Sequence, residues 1–121
     1  PIMENSTMST SPYFKIEIYA PEESVDELLE ALAATHAGEI GKYDHCATFY
    51  PVQGTWRALE GAQPYLGNPG EMFSGGEIKI EILCREEYLL EAIGAVRDVH
   101  PYETPVINVI PLANTRYNGT T

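Results

Sequence analysis

Along Tyr13-Phe14-Lys15-Ile16-Glu17-Ile18-Tyr19, Phe14, Ile16 and Ile18 fall two residues apart, which predicts a strand with one buried face, ended by Pro21. The period then lengthens. Val25, Leu28, Leu29 and Leu32 recur at helical spacing behind Ser24 and Glu27, a pair with capping-box spacing, and Gly38 supplies a C′ stop. Residues 41–59 return to a strand pattern in two arms, 46–50 and 55–57, with Gly54 between them as a hairpin or bulge. The stretch bounded by Gly61 and Gly76, with Pro64 and Pro69 inside it, reads as loop. Residues 77–84 alternate charged and apolar side chains more cleanly than any other segment. Leu89, Leu90, Ile93 and Val96 mark a second helix over 86–99, and 105–111 a last strand closed by Pro111.

Strand, helix, elaborated hairpin strand, strand, helix, strand is the βαββαβ order of a ferredoxin-like α+β sandwich, with both helices on one face of an antiparallel sheet. The folded domain is expected over 13–112, with 1–12 a disordered polar segment and 113–121 a mobile tail. The sheet's other face is left uncovered. Phe49, Tyr50 and Trp56 are expected there, under a second copy of the chain.

Composition narrows the partners. Eighteen acidic residues against seven basic ones give a net charge of -11, which disfavours nucleic acid and anionic membrane, both held mainly through Lys and Arg. No apolar run reaches the length of a membrane span, and the Ser- and Thr-rich start lacks a signal-peptide core, so a cytoplasmic location is expected. Pro1 is no initiator, which points to Met3 or Met8 as the natural start. The two cysteines fit no metal or redox spacing, and Cys84 reads as a buried small hydrophobe. The glycines of the 61–76 loop do not form a phosphate-binding motif.

Two polar knots carry the candidate chemistry: Tyr43-Asp44-His45-Cys46, and His100-Pro101-Tyr102-Glu103 at the junction of the second helix and the last strand. If the fold brings them together, His45, His100 and Glu103 offer ligands of the kind zinc or a similar divalent metal takes, with Cys46 as a fourth candidate. Neighbouring strand residues point to opposite faces, which favours His45 over Cys46 as the ligand and Cys46 as core. The plainer alternative is that His100 caps the helix end, Pro101 stops the helix and Tyr102 packs on the sheet. His36 reads as a helix-end histidine. Tyr43 reads as an aromatic packed over the hairpin, and Glu22-Glu23 and Glu86-Glu87 as helix-start acids.

Residues 38–46, Glu60-Gly61-Ala62-Gln63-Pro64-Tyr65-Leu66-Gly67 and His100-Pro101-Tyr102-Glu103, in that order, resemble the middle domain of the Nif-three-like (YqfO-type) proteins, here as a stand-alone version. The resemblance runs from the first strand to Leu112. It implies a PII/CutA-like fold that forms homotrimers. Trp56 and Ala58 stand where that family's hairpin is expected to carry Phe-x-Pro. The larger relatives hold a dinuclear metal centre in two flanking halves. With only His36, His45 and His100, this chain lacks the residues for that centre, so their hydrolase label does not carry over. The function expected is an oligomeric, non-catalytic module that holds or senses a divalent metal or small ligand. It would act on a protein partner through the 61–76 loop. A ligand-free assembly protein is the alternative, and a minor hydrolase built on Cys46, His100 and Glu103 a weaker one, because a nucleophile needs a positioned base and oxyanion donors.

Overall fold

The computed structural model describes residues 12–118. Strand β1 is Tyr13–Ala20, helix α1 Val25–Ala34, β2 Thr48–Arg57, β3 Met72–Arg85, α2 Leu89–Val99, β4 Ile107–Pro111, and α3 the short Asn114–Asn118. The 3-10 turns Glu22–Ser24 and Glu86–Tyr88 lead into α1 and α2. The strands form one sheet in the order β2-β3-β1-β4, every neighbouring pair antiparallel. This is the ferredoxin-like α+β sandwich that the periodicity predicts. No described helix is long and apolar enough to cross a membrane.

The alternation of β1 builds the core. Ile16 and Ile18 pair with Ile82 and Ile80 of β3, and this face packs on Val25, Leu28 and Leu32 of α1 and on Ala92 and Val96 of α2. Cys84 closes the same cluster, and burial pushes its thiol pKa up to about 11, so it stays a neutral apolar group.

The opposite face is polar. Lys15 and Lys79 each reach Glu17, at 3.1 and 3.5 Å, and Glu81, at 3.6 and 3.4 Å, while the Tyr50 hydroxyl donates to Glu81 at 2.8 Å. Tyr50 and Trp56 lie on this open face. Phe49 does not: it alternates away from Tyr50, stands opposite the buried Ile80 and remains half exposed.

Several element ends differ from the sequence reading. Ser24 is αR and makes no side-chain cap bond, because the 3-10 turn already folds its N–H onto the Pro21 carbonyl at 3.0 Å. The helix stop is His36 rather than Gly38. His36 takes φ +73°, its N–H donates to Ala33, and the Ala37 N–H reaches back to Leu32, which is the bond pattern of a Schellman motif. The Glu39 carboxylate, 2.7 Å from His36 Nδ1, and the Tyr88 ring offset part of the cost of a left-handed histidine, and Glu39 raises the His36 pKa. Gly54 is no turn. It lies inside a continuous β2 opposite Gly75, and β3 starts at Met72, so the connection is 58–71. Pro51 is tolerated because β2 is an edge strand. The expected N-terminal segment lies outside the described residues but for Pro12, whose carbonyl accepts from Glu86 N–H at 2.8 Å. The expected tail contains α3, and residues 119–121 lie outside the description.

Candidate functional site: an aromatic cleft on the open sheet face

The two polar knots do not meet. Residues 44–47 are irregular rather than strand, with His45 at φ +58°. The exposed His45 ring lies 3.0 Å from Asp44 Oδ1 and 3.4 Å from Glu30 Oε2; Asp44, then Glu30, raise its pKa. Cys46 is half-buried, its thiol 3.7 Å from the Asp44 carbonyl. Ile40 and Tyr43 exchange backbone bonds of 2.9 Å around Gly41, so this motif forms a small surface hairpin. Tyr43 stands out from it at 75% exposure rather than packing down.

His100 is committed elsewhere. It is 8% exposed; Nε2–H donates to the Tyr19 carbonyl at 2.7 Å, and Nδ1 accepts the Tyr102 N–H at 3.1 Å. Both ring nitrogens are used, which fixes the neutral tautomer, and burial lowers the pKa. Glu103 Oε1 accepts the Gln63 N–H at 2.8 Å. His45, His100 and Glu103, with or without Cys46, therefore do not converge within one chain. Among the described residues no three of His, Cys, Asp and Glu are placed to hold a metal ion.

What His100-Pro101-Tyr102-Glu103 does meet is the 58–71 connection. Glu103 ties down Gln63, and the Tyr65 hydroxyl donates to Glu23 at 2.8 Å just ahead of α1. Trp56 Nε1–H donates to the Leu66 carbonyl at 3.2 Å, and its ring stacks on Phe73 with centroids 4.4 Å apart. Tyr102 touches both Trp56, at 5.8 Å, and Tyr65, at 5.9 Å. Between the folded-back loop and the sheet lies a cleft of about 570 Å³, lined by Tyr19, Trp56, Tyr65, Tyr102, Glu77 and Gly54 among others.

Glu77 forms the polar part of its floor. It is 9% exposed, and Oε1 accepts the Tyr102 hydroxyl at 3.1 Å. Burial, then the Glu77 charge, push the Tyr102 phenol above its ordinary range, so it stays a hydrogen-bond donor. Gly54 is required by this arrangement: a β-carbon there would strike Glu77 Oε2. Gly54→Ala is expected to cost about 1–3 kcal/mol, because the buried carboxylate must swing off the Tyr102 hydroxyl, a loss that alanine's better fit to a strand offsets only in part. The Glu77–Tyr102 bond should be lost. Thermal melts would check this; a variant as stable as the wild type would contradict it.

The sequence singled out Tyr102, Glu103 and the loop, but not Glu77, and it read Gly54 as a hairpin or bulge rather than as part of a site. The clue to Glu77 was Gly54 in a strand pattern, which marks a close approach of some other group.

No family model matches the chain. It is 33% identical over 106 residues to a GTP cyclohydrolase 1 type 2 homolog of Halalkalibacterium halodurans, a match covering 88% of this chain and 28% of that protein. The Listeria monocytogenes protein of the same name is 35% identical over 121 residues, covering 95% of this chain and 32% of the relative. The chain thus spans about three-tenths of the length of these curated relatives. Among solved structures, a Bacillus cereus protein related to NIF3 superposes with a TM-score of 0.72 at 29% identity, over 83% of this chain and 25% of that one. The periplasmic divalent cation tolerance protein CutA of Archaeoglobus fulgidus superposes with a TM-score of 0.62 at 22% identity, over 83% of both chains. At that identity the CutA likeness shows the fold alone.

Proposed function

The chain is a relative of the NIF3-type proteins named GTP cyclohydrolase 1 type 2 homologs, matched along one domain-length segment of them, and on that footing we propose that it is an accessory module that holds a small ligand rather than an enzyme. The cleft over Glu77 carries the reading. Its volume lies within the range of small-molecule sites, and its walls combine four aromatic rings with aliphatic side chains and a few polar groups, Glu77 and Glu103 among them, the usual make-up of such a pocket. The loop that closes it is held to the rest of the chain by single bonds, the Gln63 N–H to Glu103, the Tyr65 hydroxyl to Glu23 and Trp56 Nε1–H to the Leu66 carbonyl, so ligand binding and loop order are coupled. An ordered 58–71 loop is then the surface a protein partner reads. The cyclohydrolase in the relatives' name belongs to proteins more than three times this length. In the cleft, Tyr102 is held protonated and Glu103 is spent on Gln63, which favours binding over turnover.

Of the two ligand classes left open by the sequence, the geometry favours a small molecule over a divalent metal at His45, His100 and Glu103, since His100 has no free ring nitrogen. Self-association, as the trimer the family resemblance implies, would cover the open face around Tyr50 and use the free edge of β2.

Trp56 is the single tryptophan, so its emission reports on the cleft directly. Ligand-observed NMR with neutral, anionic and cationic fragments, run beside Trp56 emission and light scattering, tests the reading. We expect hits that shift the emission and weaken about tenfold in Gly54→Ala. A collection in which no fragment moves Trp56 while zinc binds stoichiometrically would replace this reading with the metal one.

A further inference from the structure

The open sheet face joins aromatic rings to carboxylates in two places. In the first, the Lys79 ammonium lies 5.6 Å from the Tyr19 ring centroid and 5.9 Å from that of Tyr50, with Glu17 and Glu81 oxygens 3.5 and 3.4 Å away. A cation of the chain itself fills that site. The second place is the cleft. Tyr19 reappears in its lining beside Trp56, Tyr65 and Tyr102, and two carboxylates line it, Glu77 and Glu103, the second tied through Oε1 to the Gln63 N–H. No lysine lines it. Among the described residues, the one basic residue in its lining is Arg57, at the exposed end of β2.

Resting on the small-ligand reading above, we propose that the cleft binds a small organic cation, an alkylated or quaternary ammonium group, seated against the Trp56 and Tyr102 rings with Glu77 as its counter-charge. The rings and carboxylates of the site favour positive charge. Ring faces carry the negative side of the aromatic quadrupole and attract a cation that has shed its water. A carboxylate nine-tenths buried, with one oxygen on a phenol and the other over a bare glycine, gains most from a cation beside it. The net charge of -11 raises the local concentration of cations and repels anions. Methyl or methylene groups on the nitrogen suit walls of rings and aliphatic side chains, whereas a bare metal ion would find too few oxygen and nitrogen ligands.

The test compares choline with 3,3-dimethylbutan-1-ol, its uncharged isostere, by titration of Trp56 emission on the wild-type protein. Choline is expected to bind at least about tenfold tighter than the alcohol. Glu77→Gln should remove most of that preference. The wild-type comparison decides the matter even if the variant does not fold. Equal affinities, or tighter binding of the alcohol or of an anionic fragment, would overturn the cation proposal and leave the small-ligand reading standing. Silence of Trp56 toward choline alone, with other fragments binding, would also overturn it. Silence toward every fragment would remove both.

Discussion

Gly38→Val should destabilise the protein by about 3–5 kcal/mol, lowering the urea midpoint by roughly 2 M or more. Two costs coincide at this position. Its φ of +83° is open to glycine but strained for a β-branched residue, at about 1–2 kcal/mol. The second cost is contact. A β-carbon there would lie 2.8 Å from the Cys46 carbonyl oxygen and 3.0 Å from Ile82 Cδ1. The carbonyl cannot move freely, because Gly38 bonds the Cys46 N–H at 3.0 Å and donates its own N–H to Leu83 at 2.8 Å. Gly38 thus pins the turn after α1 to β3 and to the approach of β2. Gly41→Val is the matched control: φ is +57° and nothing lies within 4 Å of its would-be β-carbon, so it should lose only the strain. If the two variants melt together, close packing at Gly38 is not what the position is for.

The contrast with Gly54 explains much of what was legible. Both glycines mark close approach, yet sequence alone suggests a helix stop for one and a hairpin or bulge for the other. Glycine announces a special backbone position without saying which neighbour needs it. Periodicity identified β1, α1, α2 and the core half of β3, because each buries a regular face on one common cluster. It blurred β2, an edge strand whose first four residues are all exposed and so carry no core imprint. It missed the start of β3, where Gly75 lies under the Phe73 ring and looks like loop in composition.

The candidate site divides along the same line. That a chemically rich junction lies at His100-Pro101-Tyr102-Glu103 was readable. Its partners were not, because they lie far off in the chain: Tyr19 for His100, Gln63 for Glu103 and Glu77 for Tyr102. The expected union of His45 with His100 failed for a local reason. A buried imidazole must satisfy both nitrogens, and the nearest groups available to it are backbone ones.

That reason makes His100 the second position of large effect. His100→Ala should cost about 2–4 kcal/mol, since it opens a cavity and leaves the Tyr19 carbonyl and the Tyr102 N–H without their partner. The loss should depend on pH with a definite sign. The folded-state pKa of His100 is depressed below the ordinary 6.5, first by burial, with the Tyr19 bond and the Glu77 charge opposing. Below that value the unfolded chain takes up a proton that the native imidazole refuses. The stability His100 contributes is therefore fully present above pH 6.5 and is lost as pH falls through the folded-state pKa. His36 and His45 are shifted the other way by exposed carboxylates; their contributions are present below pH 6.5 and fade as pH rises. Because both proteins carry them, they cancel in the difference between wild type and variant. Urea melts of the pair from pH 7.5 to 5 should show a gap that is widest at neutral pH and narrows on acidification. A gap of constant width would mean that the imidazole titrates alike folded and unfolded, and that the neutral tautomer bridging Tyr19 and Tyr102 is not what holds Tyr102 over the cleft.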